Sequence, residues 1–121
     1  MKKRRILVVD NDREFLHTTE GYLRAVGYFV ITAQDGMEAL DLAASQDVHL
    51  VLLDSKMPGM NGYQVCERLR EFSQVPLIMM TEGAPEEEKI KGLRLGADDA
   101  IAKPYSVPEL LALDLLLLGR P

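Results

Sequence analysis

Apolar residues follow two patterns that alternate along the chain. Residues 6–9, 28–32, 48–53 and 76–80 are short runs rich in Val, Ile, Leu and Met, and a weaker run covers 100–102. Continuous apolar runs of this length predict strands buried on both faces. Between the runs, apolar residues recur three or four positions apart, which predicts helices. Phe15, Thr19, Leu23 and Val26 mark the first helix, and Gly27 closes it. After a turn at Asp35 and Gly36, Met37, Leu40 and Ala44 mark the second. A turn-rich stretch over 58–62 leads to the third, with Val65, Leu69 and Phe72 on one face. Pro85, Glu86, Glu87 and Glu88 open the fourth, with acids at the positive end of the helix dipole, and Gly96 ends it. Ser106 is placed to cap a fifth, from Val107 to Leu118.

The chain thus reads as a βα unit repeated five times. Such alternation predicts a parallel sheet covered by helices on both faces, joined by right-handed crossovers. A length of 121 residues suits one such domain, and 47% apolar residues supply its core. In sheets of this kind, sites gather at the carboxyl ends of the strands.

Composition narrows the function. The net charge is −5, from 19 acids and 14 bases, which argues against direct contact with nucleic acid. Lys2, Lys3, Arg4 and Arg5 read as a solubilising flank before a buried strand. Cys66 is the only cysteine, so neither an internal disulfide nor a cysteine metal site can form, as suits the cytoplasm. No apolar stretch approaches the roughly 20 residues that span a bilayer.

The strand ends carry the candidate chemistry. Asp10, Asn11 and Asp12 follow the first strand, Asp54 the third, Thr81 the fourth and Lys103 the fifth. Neighbouring strands lie about 4.8 Å apart, so these side chains can share one pocket. Crowded carboxylates call for a hard divalent cation such as Mg²⁺. A lysine offers a point charge to an anion, and a threonine hydroxyl can donate to a phosphoryl oxygen. An aspartate among these groups can act as a nucleophile toward phosphorus, giving an acyl phosphate.

These blocks, taken in order, resemble CheY-like response regulator receiver domains. They are Val8-Val9-Asp10-Asn11-Asp12, Leu52-Leu53-Asp54 with Met57-Pro58-Gly59-Met60-Asn61-Gly62, Met79-Met80-Thr81, and Gly96-Ala97-Asp98-Asp99 with Lys103-Pro104. The stretch over 92–99 is most similar to the OmpR/PhoB type. The resemblance implies a flavodoxin-like (βα)5 three-layer sandwich with its parallel five-stranded sheet in order 2-1-3-4-5. It implies that a sensor histidine kinase phosphorylates Asp54, with Mg²⁺ held by Asp10, Asn11, Asp54 and the backbone carbonyl of Lys56. Thr81 would bind the phosphoryl oxygens and move on activation. Lys103 would pair with the phosphoryl group and precede a cis bond to Pro104. The chain would be a single receiver over 1–121, alone or as the N-terminal part of a longer regulator. It would be a phosphoacceptor switch and not an enzyme.

Three departures qualify this picture. Asn11 stands where the family usually has a second acid, which predicts weaker Mg²⁺ binding; Asp12 could compensate but suits a helix cap. Ala100 stands where an aromatic commonly serves the switch, and Tyr105 reads as packing. Leu113, Asp114 and Leu115 invert the usual arginine, apolar, arginine order of the last helix. That inversion removes the salt bridges of the usual dimer. A helix apolar on all sides predicts that some of its leucines meet an output domain or a second copy.

Two other functions fit parts of the sequence. Asn11 and Ala100 suit a receiver that works as an interaction module without phosphorylation. Asp10-Asn11-Asp12 also has the Asp-x-Asp spacing of haloacid-dehalogenase-type phosphatases, although Glu14 departs from that motif and the chain is short for the fold. His17 reads as solvated, His49 has no evident partner, and Met57, Met60, Met79, Met80 and Cys66 read as packing. Asp98 and Asp99 precede the fifth strand, away from the pocket, and read as turn or surface residues.

Overall fold

The computed structural model describes residues 3–83 and 86–118, Leu115 by its backbone alone. Lys2, Pro85 and the side chain of Leu115, which entered the sequence reading, lie outside the described residues. Strands and helices alternate as β1 (Arg5–Val9), α1 (Arg13–Ala25), β2 (Phe29–Ala33), α2 (Gly36–Ser45), β3 (Leu50–Asp54), α3 (Gly62–Leu69), β4 (Leu77–Glu82), α4 (Glu86–Arg94), β5 (Asp99–Lys103) and α5 (Val107–Leu118). The strands pair in parallel in the expected order β2-β1-β3-β4-β5.

Alternation along the strands divides the core in two. Ile6, Val8, Leu50, Leu52, Ile78, Met80 and Ile101 face α1 and α5, packing on Leu16, Leu23 and Leu110. Leu7, Val9, Val51, Leu53, Leu77 and Met79 face the other way, onto Ala39, Val65, Cys66, Leu69 and Ala97. The methionines at 57, 60, 79 and 80 all pack in these layers, as does Cys66. His49 does have partners. Its Nδ1 accepts the Arg5 backbone N–H at 2.8 Å, and its own N–H donates to the Arg5 carbonyl at 2.9 Å, fastening β3 to β1.

Some helix faces differ from the periodicity reading. Leu40 packs against the core as expected, but Met37 and Ala44 are exposed, and α2 turns Gly36 and Ala39 fully inward. The cause is close approach: a Cβ at Gly36 would stand 2.7 Å from Val65 Cγ2. Val26 and Phe72 lie just past the ends of α1 and α3 and are exposed. Asp12 caps α1, its Oδ1 accepting the N–H groups of Glu14 and Phe15. Ser106 caps α5 through Glu109 N–H. Asp98 accepts from Leu77 N–H and Arg70 at the far edge of the sheet, the turn role expected of it.

The last helix carries the largest conflict between sequence and packing. Leu110 and Asp114, four residues apart, both have 0% exposure, whereas Leu116 is 77% exposed. An acid therefore occupies the middle of the core-facing stripe. Neither carboxylate oxygen has a hydrogen-bond partner among the described residues. Burial raises its pKa to about 7, because an ionised carboxylate loses its hydration there. Unfolded, the group titrates near ~4. Between these values the folded chain binds the extra proton, so this group makes stability rise as pH falls from about 7 toward 4. Asp114→Val is expected to stabilise the fold at pH 8 by about 2 kcal/mol. The Asp114→Asn variant should lose the part of the pH dependence that wild type shows over this range. Urea melts at several pH values measure both; a Val variant no more stable than wild type would show that the acid is solvated.

Candidate phosphoryl-accepting site

Parallel register sets the floor of the site. Val9 pairs with Leu53 and Asp54 with Met80, so Asp10 and Asp54 emerge side by side from two central strands. Glu82 pairs with Lys103, which brings the lysine to the same end of the sheet. Asp10, Asp54 and Lys103 continue the alternate positions that face α1 and α5, while Thr81 continues the opposite set.

Direct contacts join three of the residues singled out from the sequence. The Lys103 ammonium donates to Asp10 Oδ2 and lies 3.4 Å from Asp54 Oδ1. Both carboxylates are buried. Asp10 Oδ1 also accepts Asp12 N–H at 3.0 Å, and Asp54 Oδ1 lies 3.5 Å from Lys56 N. Burial raises the Asp54 pKa to about 6. The Lys103 charge lowers it and the Asp10 carboxylate raises it, so the two neighbours oppose each other.

Thr81 is the next residue along β4 beyond the Met80 partner of Asp54. Its hydroxyl is buried and has no hydrogen-bond partner among the described residues. Such a donor is costly unless something accepts from it. Asn11 and the Lys56 side chain are exposed, and neither side chain contacts a carboxylate of the pocket among the described residues. The Lys103–Pro104 bond is cis, as the resemblance implied. Gly62 seats α3 against the site: a Cβ there would stand 2.1 Å from the Asp54 carbonyl oxygen.

Sequence reasoning missed the aromatic wall. Phe15 was visible only as one apolar position on α1, yet Lys103 Nζ lies 4.1 Å from its ring centroid. Tyr105 meets Phe15 edge to face at 5.7 Å and 88°, and its hydroxyl bonds Thr19 Oγ1 at 2.6 Å. Tyr105 is thus a packing residue, as read. Hydrophobic spacing contains nothing that would single out Phe15, because the contact joins residues 88 positions apart.

Asp10 and Asp54 are close enough to share one ammonium, and Asn11 and the Lys56 carbonyl are further oxygen donors on the same loops. Oxygen donors of this kind fit a hard divalent cation. Among the described residues no three acidic, histidine or cysteine side chains are grouped so that they could hold a metal ion together, so a cation at this pocket would draw on the Asn11 amide oxygen or the Lys56 carbonyl as well as on Asp10 and Asp54.

A family model described as the response regulator receiver domain matches residues 6–113. The chain belongs to the receiver domain family. Its likeness to solved receivers spans the fold. A Vibrio cholerae chemotaxis protein, CheY4, superposes with a TM-score of 0.91 at 30% identity, covering 97% of this chain and all of that one. The receiver domain of Francisella response regulator 1452 does so with a TM-score of 0.90 at 29% identity, covering 95% and 96%. Among curated proteins, one named "Probable transcriptional regulator ycf27" from Porphyridium aerugineum is 46% identical over 93% of this chain but only 47% of its own length. A namesake from Cyanophora paradoxa is 43% identical over 99% of this chain and 50% of its own. This receiver therefore spans about half the length of the curated relatives it matches. Their naming as transcriptional regulators agrees with the OmpR/PhoB resemblance. The Asp-x-Asp phosphatase alternative falls away, because the family match covers the chain and Asp12 is engaged as a helix cap.

In carbon NMR spectra recorded without metal, the Asp54 carboxyl is expected to titrate with a midpoint of about 6. An exposed aspartate titrates near ~4. Lys103→Met should move the midpoint higher, since it removes the charge that lowers it. A midpoint at the exposed value would mean that the pocket is open to water.

Proposed function

We propose that this receiver accepts a phosphoryl group on Asp54 from the phosphohistidine of a sensor histidine kinase, and that the new charge changes its contacts with an output domain or a second copy. The supporting observation is the Asp54 carboxylate: buried, at the end of a central strand, and sharing one ammonium with Asp10. With a pKa of about 6 it is mostly ionised at neutral pH. An Asp54 oxygen attacks phosphorus, an O–P bond forms, the P–N bond to the histidine breaks, and the ring nitrogen keeps the electron pair. Lys103 offsets charge on the transferring oxygens, and the Thr81 hydroxyl, which has no hydrogen-bond partner among the described residues, donates to one of them. Asp10, Asn11, Asp54 and the Lys56 carbonyl would hold Mg²⁺. When bound, the ion would neutralise oxygens of the transferring group.

In this reading the chain is a stoichiometric acceptor in the cytoplasm and not a turnover enzyme. No helix among the described residues is long and apolar enough to cross a membrane. The mostly exposed Leu116 on α5 supports a protein partner at that helix. The net charge of −5 does not favour direct nucleic-acid binding by this domain. Any DNA-binding output would belong to chain beyond it, as the length of the ycf27 relatives suggests.

A second reading is favoured by Asn11 and Ala100: an interaction module that works without phosphate. Incubation with acetyl phosphate and Mg²⁺ followed by intact-mass measurement separates the two. A gain of one phosphoryl group that is absent in Asp54→Asn supports the switch; no gain at any Mg²⁺ concentration supports the module. Asn11→Asp restores a charge and is expected to tighten Mg²⁺ binding about tenfold by calorimetry. Unchanged affinity would mean that residue 11 does not face the ion.

A further inference from the structure

We propose that Phe15 is a positioning residue for this site, whose ring face holds the Lys103 ammonium between Asp10 and Asp54. The proposal rests on the phosphoacceptor reading of Asp54. An ammonium has three N–H donors, and the Lys103 side chain is only 16% exposed, so water satisfies little of it. Asp10 takes one direction and Asp54 a second. The Phe15 ring, with its centroid 4.1 Å from Nζ, occupies a third. A desolvated cation over an aromatic face is attracted by the ring quadrupole, which an aliphatic side chain of similar bulk lacks.

The ring is itself fixed from two directions. Tyr105 meets it edge to face, and the Tyr105 hydroxyl is tied to Thr19, one turn further along the same helix. The backbone N–H of Phe15 donates to the Asp12 cap at 3.2 Å, and Asp12 N–H donates to Asp10. A closed circuit therefore runs from Asp10 through Lys103, Phe15 and the α1 cap back to Asp10. It keeps the lysine from collapsing wholly onto Asp10, so that its charge stays available to oxygens arriving at Asp54. The circuit lies on the α1 and α5 side of the sheet, opposite Thr81 and Ala100.

The test compares Phe15→Leu, Phe15→Tyr and wild type. With beryllium fluoride and Mg²⁺ as a phosphoryl mimic, Phe15→Leu is expected to bind roughly three- to tenfold more weakly, and acetyl phosphate should label it more slowly by a similar factor. Phe15→Tyr should recover most of both. In proton NMR the ε-methylene of Lys103 should be shifted upfield by the ring in wild type and in Phe15→Tyr, and should return to ordinary values in Phe15→Leu. In a Lys103→Ala background, Phe15→Leu should have no further effect on either reaction. The proposal is overturned if wild type is labelled and Phe15→Leu matches it, or if the leucine effect persists without Lys103, which would make Phe15 a packing residue only. If wild type takes no phosphoryl group, the Asp54 reading fails separately. The ring shift then decides whether Phe15 holds the lysine: its absence in wild type overturns the contact.

Discussion

One ammonium, that of Lys103, lies between carboxylates carried by two neighbouring central strands, and the carboxyl end of the sheet is organised around it. Two buried carboxylates side by side repel, and each also loses hydration. The shared cation offsets part of both costs, which is why the Asp54 pKa reaches only about 6 although burial and Asp10 both push it upward. The bridge leaves a pocket of two negative charges and one positive. A pocket with that balance can take a divalent ion, and with it an incoming anion, without stranding a buried charge.

The bridge divides the site by face. Asp10, Asp54 and Lys103 continue the set of side chains that packs against α1 and α5, and Phe15 and Tyr105 belong to the same side. Thr81 continues the opposite set, as does Ala100, two strands' width from Asp54. The aromatic residues that touch the site therefore stand on the side away from the position where receivers commonly carry one on the fifth strand. Ala100 leaves that position too small to respond to a threonine shift by changing rotamer.

Asp114 represents the reverse situation to Asp54. Both are buried acids with raised pKa values, but Asp54 has a cation and a backbone N–H nearby, whereas Asp114 has no hydrogen-bond partner among the described residues. A leucine-rich helix that turns an acid inward and Leu116 outward sets local composition against global packing. Such conflicts lower stability without a compensating contact in the domain itself. Leu113, beside the acid, packs partly against the core, and the exposed apolar residue on the outer side of α5 is Leu116.

How much was legible depended on whether the information was local. Short apolar runs, alternating with three-to-four spacing, determined the order of strands and helices, because burial on two faces requires unbroken apolar strands. The blocks around Asp10, Asp54, Thr81 and Lys103 determined which residues stand at the strand ends, since each lies within a residue or two of a run. Asp12 and Ser106 were readable as caps because capping is decided within one helical turn. Tertiary structure alone decided the rest. Which face of α2 turns inward depends on the close approach of Gly36 to Val65, so Met37 was misassigned. His49 found its partner on β1, 44 residues away. The placement of Asp114 follows from the rotation of α5 on the sheet, which an almost uniformly apolar helix does not encode. The contact of Phe15 with Lys103 exists only because α1 and β5 meet beside the end of β3, where the sequence put Asp54 and folding put the charges that surround it.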